Sequence, residues 1–199
     1  RLLSPGQIAD RLDDCFALLT GGTRDASPRQ QTLRAAIDWS YDLLTEAERT
    51  LFARVAVFAG GFTLDAGEAV CGGDGIPPGE LLDLLTHLVD KSLVVVEERG
   101  GEARCRMLET IRQYAAERLA AGGEAEVVGR RHAAYYLGIA EAAEPELQGS
   151  RQAVVMDRLE EEHDNLRAAL RWLVAHREAA LAARLGGAIW RFWQTRGYL

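Results

Sequence analysis

The sequence predicts a mainly α fold in which a winged-helix domain, made of helices and one β-hairpin, is followed by antiparallel helical-repeat hairpins. Several amphipathic helix patterns precede one short hairpin, whose strands are expected at residues 93–97 and 104–108. A further helix pattern over residues 110–119 follows that hairpin directly. From residue 124 onwards only long helix patterns with short connections occur, which is typical of antiparallel helical hairpins.

The first predicted element is a helix that begins near Ser4. Ser4, Pro5 and Gln7 fit an N-cap, the first helical position and a capping box. Apolar residues then recur at helical spacing up to Leu19. Residues 20–28 (TGGTRDASP) combine glycine, proline and small polar residues, so they predict a loop.

Four further helices are predicted before the hairpin, at residues 32–44, 45–58, 62–70 and 80–91. Thr45 and Glu48 form a capping box that starts the second of them. The first is expected to present a broad apolar face made of Leu33, Ile37, Trp39, Tyr41 and Leu44. The β-branched run at residues 93–96, bounded by turn signals, predicts a strand.

Three long helices are predicted after the winged helix, at residues 124–144, 151–176 and 178–196. Aromatic residues near the end of the chain lie at helical spacing, and we expect most of them to be buried between stacked helices. They are Trp172, Trp190, Phe192 and Trp193. Because the chain begins with Arg1 and ends inside a helical pattern, we expect it to be a piece of a longer protein.

The sequence offers no catalytic or metal-binding constellation. Neither GxxxxGK(S/T) nor GxGxxG occurs, so the chain has no phosphate-binding loop of its own. The three cysteines are widely spaced and form no CxxC pair, which argues against a zinc site. Glu160, His163 and Asp164 share one helix face, and a solvated or inter-helix polar face explains them better than a metal site. We therefore expect the chain itself to be no enzyme and to hold no cofactor.

The composition indicates a cytoplasmic chain. It carries no run of about 20 apolar residues that could span a bilayer, and no basic segment followed by an apolar one that would form a secretion signal. The unpaired cysteines suit a reducing compartment. We expect no membrane partner.

Charge bears on whether the winged helix binds DNA. Residues 30–120 carry nine basic and fifteen acidic side chains, a balance of −6, whereas phosphate contacts need a positive face. The candidate recognition helix, residues 80–91, has three acidic side chains and Lys91 as its basic one. The sequence therefore argues against direct DNA binding by this segment, and a DNA-binding winged-helix transcriptional regulator is the alternative.

Three segments carry a resemblance to a known family. They are RQQTLRAAIDWSYDLL (residues 29–44), LETIRQYA (residues 108–115) and EEEHDNLRAALRWL (residues 160–173). With the sequence around them, they resemble the bacterial, mainly actinobacterial, STAND-class regulatory ATPases and transcriptional regulators, which are distant relatives of apoptosome scaffolds and plant disease-resistance proteins. The resemblance covers nearly the whole chain.

The resemblance implies a domain order and a function. Residues 1–27 would be the end of a helical domain and a linker, residues 28–121 the winged helix, and residues 122–199 truncated tetratricopeptide-like repeats. The Walker motifs, with ATP or ADP and Mg, would belong to a nucleotide-binding domain upstream in the intact parent. The chain would then be a non-catalytic regulatory and protein-interaction segment of a nucleotide-dependent signalling switch that controls transcription. Its partners would be that nucleotide-binding domain and proteins bound to the helical repeats.

The resemblance also implies site residues. A Met-His-Asp motif at the start of the helix after the wing senses nucleotide in such switches, and Met107, Leu108 and Glu109 occupy those positions here, with Thr110 next to them. Leu108 departs from the motif, since leucine cannot bond a phosphate. Contact with the nucleotide domain is expected to involve Arg104, Arg106 and Arg112 as well. The alternative for Glu109 and Thr110 is that they only cap the helix.

Overall fold

The computed structural model describes residues 28–77 and 79–198. The helix and most of the loop predicted before residue 28 lie outside these residues. The winged-helix part contains the following elements: α1 (Pro28–Asp42), α2 (Glu46–Arg54), α3 (Leu64–Cys71), α4 (Leu81–Asp90), β1 (Val95–Arg99), β2 (Glu102–Arg106) and α5 (Glu109–Ala121). The mainly α fold with one β-hairpin is confirmed.

Side chains fix the starts of α2 and α3. Thr45 Oγ1 accepts from the Glu48 backbone N–H at 3.3 Å, and the Glu48 carboxylate accepts from the Thr45 N–H at 2.7 Å, so the predicted capping box is present. Thr63 caps α3 in the same way, through the Ala66 N–H. A short 3-10 turn, Val55–Val57, ends the segment that the sequence predicted as one helix to residue 58.

The apolar face predicted for the first helix is only partly correct. Ile37 and Leu44 are buried and Tyr41 packs against the core, but Trp39 is 68% exposed. The helix packs against α5 through the face that carries Asp38, whose carboxylate accepts from the Tyr114 hydroxyl at 2.6 Å. Trp39 follows Asp38 by one residue, which rotates its side chain away from α5.

The wing is a two-stranded antiparallel ribbon. Each strand lies two residues closer to the turn than predicted. Val95 pairs with Arg106 and Arg99 with Glu102, around the turn residues Gly100 and Gly101, which both adopt positive φ. Leu93 and Val94, predicted as strand, are instead buried and bond through their N–H groups to the Leu88 carbonyl at the end of α4.

A third short strand position completes the winged helix. The Phe62 and Cys105 backbones exchange two N–H to O bonds of 2.8 Å, so the segment before α3 pairs with β2. This bridge ties the connection between α2 and α3 to the wing and sets the direction in which α3 leaves it.

The helical tail contains α6 (Ala125–Ala143), a 3-10 turn (Glu144–Gln148), α7 (Gln152–Glu161), α8 (His163–Ala175) and α9 (Ala179–Arg196). The single helix predicted over residues 151–176 is wrong, because the chain breaks at Glu162 into α7 and α8. Glu162 ends α7 with φ −96° and ψ 3°, and its carboxylate turns toward the wing. Gly129 lets α6 approach α8 closely, since a Cβ there would lie 2.2 Å from the Trp172 indole nitrogen.

One apolar core runs through both parts of the chain. It includes Leu51 and Tyr114 in the winged helix and Leu166 and Phe192 in the tail. Of the aromatic residues expected to be buried near the end, Phe192 is fully buried, Trp172 and Trp193 are partly buried, and Trp190 is exposed. Among the helices of the described ranges, none has the length and apolar character that crossing a membrane requires.

Candidate functional site: the winged-helix surface and its polar joint

The solvent face of α4 is the surface that a DNA-reading winged helix would present to the major groove. It carries Leu82, which is 55% exposed, together with Asp83, Thr86 and Asp90. The Thr86 hydroxyl donates to the Leu82 carbonyl at 2.8 Å, so it is already engaged within the helix. This face therefore offers carboxylates and methyl groups where phosphate and guanine recognition would use cations.

Two nitrogen-bearing side chains near the end of α4 turn toward α2. Lys91 Nζ donates to the buried Glu48 carboxylate at 2.9 Å, and His87 Nδ1 lies 3.1 Å from the same oxygen. Burial favours the neutral form of Glu48, but hydrogen bonds from Lys91 and Thr45 outweigh it and lower the pKa of this carboxyl. Lys91 thus stabilises the packing of α4 on α2.

The wing holds its own charges in pairs. Arg106 Nε donates to Glu97 Oε1 at 2.6 Å across the two strands, and Arg99 Nε lies 3.9 Å from the other Glu97 oxygen. The hydrogen bond from Arg106 lowers the pKa of Glu97. Arg99, near the tip, is the wing arginine with the most exposed side chain.

Behind the wing, four buried polar side chains connect the winged helix to the tail. We name this cluster, Arg104, Glu162, Asn165 and His132, the polar joint. Arg104 Nη1 donates to Glu162 Oε1 at 2.5 Å. Both partners are almost fully buried. Because Arg104 lies in β2 and Glu162 between α7 and α8, this pair fixes the wing against the tail.

Asn165 bonds to the loop between α2 and α3. Its Oδ1 accepts from the Ala59 N–H at 2.8 Å, and its Nδ2 donates to the Gly61 carbonyl at 2.7 Å and to Glu162 Oε2 at 3.2 Å. An amide side chain is well suited to this position, since it pairs one backbone donor and one backbone acceptor at once.

His132 of α6 closes the polar joint. Its Nε2 donates to Asn165 Oδ1 at 3.4 Å, and its ring packs on Phe58 and Tyr136 with centroid distances of 5.4 and 4.6 Å. Burial lowers the pKa of His132 to about 4, although Asn165 and Glu162 act in the opposite direction. The imidazole is therefore neutral at pH 7 and serves as a packed hydrogen-bond donor.

A second connection between the two parts, the Arg54 contact, lies at the start of α6. Arg54 of α2 is buried and donates to Glu124 through Nε at 2.9 Å and Nη2 at 2.5 Å. It also donates to the carbonyls of Cys71, the last residue of α3, and of Gly73 and Asp74 in the loop that follows. The bond from Arg54 lowers the pKa of Glu124.

The residues predicted to sense nucleotide lie at the start of α5. Glu109 is the first residue of α5, and Arg112 holds both its carboxylate oxygens at 2.7 and 2.8 Å. Gln113 donates to the same carboxylate at 2.9 Å. Leu108 is exposed and its side chain makes no capping bond, whereas Met107 packs against the core and Thr110 is half-buried.

The predicted interdomain arginines divide into two groups. Arg104 is buried in the polar joint, so its contact is with Glu162 of this chain's own tail. Arg106 and Arg112 line a cleft of about 210 Å³ together with Met107 and Glu109. Nucleotide sensing and contact with a nucleotide-binding domain stay predictions for these residues.

The polar joint was not predicted from the sequence, although Glu162 and Asn165 lie beside residues that were considered as a site. Glu162 and Asn165 lie in the segment EEEHDN, whose Glu160, His163 and Asp164 drew attention as a shared helix face. The available signal was Asn165, a polar residue that directly precedes the buried Leu166 in α8. Across residues 28–77 and 79–198, no group of three or more His, Cys, Asp or Glu side chains could hold a metal ion.

Comparisons with known proteins agree with the winged-helix geometry. Residues 44–120 match the winged helix-turn-helix domain family. Over all 199 residues the chain is 48% identical to proteins of Mycobacterium tuberculosis and Mycobacterium bovis that carry the provisional name HTH-type transcriptional regulator, and it covers 22% of their length. It is 45% identical over 131 residues, or 65% of this chain, to uncharacterized proteins from the same two species, of which it covers 33%. No solved structure matches the chain significantly.

The chain therefore spans about a fifth of the length of the curated relatives that it matches along its whole length. The relatives are named as transcriptional regulators, and the comparisons fit the DNA-binding alternative of the sequence analysis better than the nucleotide-dependent switch. From the family match and the geometry together, residues 44–120 form a winged helix-turn-helix domain.

Proposed function

We propose that this chain acts in transcriptional regulation as part of a longer protein, with its winged helix packed as a joint between neighbouring domains of a nucleotide-dependent switch. The relatives' provisional name supports the regulatory role. The observation that supports this packing role is the polar joint, in which a charged pair is buried between the wing and the tail. Burying a charged pair has a substantial desolvation cost, and in this proposal the pair serves to fix one arrangement of the wing and the tail.

The surface chemistry of α4 supports the same proposal. A helix that reads bases usually carries Arg, Lys, Asn or Gln toward the groove. Here Asp83 and Asp90 occupy that face, and Lys91 is engaged by Glu48. Phosphates that approach this face would meet negative charge.

In this proposal an upstream domain of the intact protein binds ATP or ADP with Mg, and the chain described here has no catalytic role. Arg106, Glu109 and Arg112 would face that domain, because they line a cleft that remains open in the described part of the chain. The helices of the tail would bind protein partners, as tetratricopeptide-like repeats do. A cytoplasmic location belongs to the same proposal.

The second candidate is a winged helix that itself binds DNA. The comparisons favour it, since the family is a winged helix-turn-helix domain and the relatives are named as HTH-type regulators. In this case the exposed Arg99 at the wing is a cationic group that can reach the duplex.

One experiment separates the two candidates. The whole chain is titrated against a labelled 20-base-pair duplex by fluorescence anisotropy at low and moderate salt. If the winged helix is a packed joint, the dissociation constant should exceed about 100 µM. Such binding is weaker than the usual nonspecific binding of proteins to DNA. Affinity tighter than about 1 µM that falls steeply with salt supports DNA binding. In that case Arg99→Ala should weaken binding, while Arg191→Ala on α9, which removes the same charge far from the wing, should not.

A further inference from the structure

A cleft between the winged helix and the tail departs from the acidic character of the chain, whose net charge is −7. It measures about 710 Å³ and is lined on one side by Val57, Ala59, Gly60, Glu109 and Arg112. The other side is α8 and the residue after it, including Arg167, Arg171, Trp172 and His176. Three guanidinium groups thus border one concave surface, away from the solvent face of α4.

Three arginines and two carboxylates line this cleft, so its formal charge is +1 when His176 is neutral. Arg112 occupies both oxygens of Glu109. Asp164, the other carboxylate, also lines the cleft and lies close to Gly60. Within the described ranges, neither Arg167 nor Arg171 forms an ion pair. Since these two residues are four apart in α8, their side chains leave the same face of the helix.

The walls of the cleft are held in place independently of any ligand. Arg112 donates to the Ala56 carbonyl at 3.3 Å, and the Ala59 N–H donates to Asn165 at 2.8 Å. On the tail side the His176 ring stacks on Trp172 at a centroid distance of 4.0 Å, and its Nδ1 lies 2.8 Å from the Trp172 carbonyl. A preorganised site loses less conformational entropy when a ligand binds.

We propose that this cleft binds a phosphate-bearing anion, with Arg167 and Arg171 as its direct ligands and Arg112 as the guanidinium on the opposite wall. Arginine suits this chemistry because its planar fork donates two parallel hydrogen bonds to phosphate oxygens. The phosphate can come from a free polyphosphate group, as in a nucleotide, or from a nucleic acid backbone. This proposal is independent of whether α4 contacts DNA, because the cleft is built by α5 and α8.

The test is calorimetric titration of the whole chain with sodium tripolyphosphate at low salt. Arg167→Ala/Arg171→Ala should weaken binding by roughly tenfold or more, since both charge-assisted contacts are removed. The matched control is Arg158→Ala/Arg191→Ala, which removes two exposed arginines that likewise form no ion pair in the described residues. It should change the affinity by less than about twofold, because only the overall field is altered. Unchanged thermal unfolding of both double variants shows that the fold is retained.

A second titration identifies the source of the phosphate. If a single-stranded oligonucleotide binds with the same dependence on Arg167 and Arg171, the ligand is a nucleic acid backbone. If tripolyphosphate binds and the oligonucleotide does not, the ligand is a free polyphosphate. Both results support an anion site. The proposal is overturned if neither probe binds at about millimolar concentration, or if the two double variants lose the same affinity.

Discussion

The polar joint and the Arg54 contact connect the same two parts of the chain, but they differ in burial. In the polar joint both charged side chains are shielded, with 5% of Arg104 and 8% of Glu162 exposed. In the Arg54 contact the arginine is 3% exposed, whereas Glu124 is 39% exposed. A buried charge without a partner costs far more free energy than one that can turn to water. The comparison therefore predicts that matched substitutions at the two contacts will have very different effects.

The largest effect is expected for Glu162→Ala, which leaves Arg104 buried and unpaired. The free energy of unfolding should fall by about 3–5 kcal/mol. Chemical denaturation followed by circular dichroism measures this change. Glu160→Ala is the control, because this neighbouring carboxylate is exposed and its loss should cost less than about 1 kcal/mol.

A double variant tests whether the cost comes from the unpaired charge. Arg104→Met combined with Glu162→Leu removes both charges and keeps apolar volume in the joint. It should be more stable than Glu162→Ala alone, because no charge remains buried without a partner. A double variant as unstable as the single one would mean that shape, rather than charge compensation, determines stability here.

Acidification should weaken the polar joint through His132. The folded protein keeps His132 neutral down to a pKa of about 4, whereas the unfolded chain takes up this proton near 6.5. Between these values the unfolded state binds more protons, so the free energy of unfolding falls as the pH falls. The shift corresponds to a loss on the order of 3 kcal/mol by pH 4.

His132→Phe removes this titration and keeps an aromatic ring against Phe58. The decrease in unfolding free energy between about pH 6.5 and pH 4.5 should be smaller in this variant than in the wild type. Carboxyls with lowered pKa values, such as Glu97, also reduce the free energy of unfolding as the pH falls. They are present in both proteins, so they do not account for a difference between them. Equal pH dependence of the two proteins would show that His132 does not contribute.

Asn165→Ala should lower the free energy of unfolding by an intermediate amount and should loosen the structure mainly around Ala59. It removes the acceptor of the Ala59 N–H and the donor to the buried Gly61 carbonyl. Leaving buried backbone groups without partners costs about 1–3 kcal/mol. Hydrogen exchange at the Ala59 amide should accelerate more than exchange at amides within α2. Exchange that stays slow at Ala59 would show that another group replaces the side chain.

Contacts between residues close in the sequence could be predicted, whereas contacts between distant residues could not. Thr45 and Glu48 are three residues apart, so their capping box follows from local geometry and was predicted correctly. The bridge between Phe62 and Cys105, the pair Arg104–Glu162 and the pair Arg54–Glu124 each join residues that are more than forty positions apart. No periodicity encodes such pairings, because they arise only when segments that are distant in the sequence pack together.

The errors in helix boundaries have the same origin. The pattern over residues 151–176 is continuous in the sequence, yet the helix breaks where Glu162 turns to Arg104. Leu93 and Val94 have strand propensity, but burial against the end of α4 holds them outside the ribbon. Tertiary packing overrode local preference in both places. The charge of α4, in contrast, could be predicted, since Asp83 and Asp90 are already visible in the sequence.

The smallest effect is expected for Glu124→Gln, compared with the isosteric Glu162→Gln. After Glu124→Gln, Arg54 still donates to the carbonyls of Cys71, Gly73 and Asp74, and the neutral amide can accept one of its remaining hydrogens. Because Glu124 is partly solvated, the loss should be about 1 kcal/mol or less and should shrink further at high salt. Glu162→Gln should cost several times more and respond little to salt, since water and ions do not reach the buried pair. If the two glutamine variants were equally unstable, burial would not distinguish these contacts, and the Arg54 contact would hold the tail on the winged helix as firmly as the polar joint does.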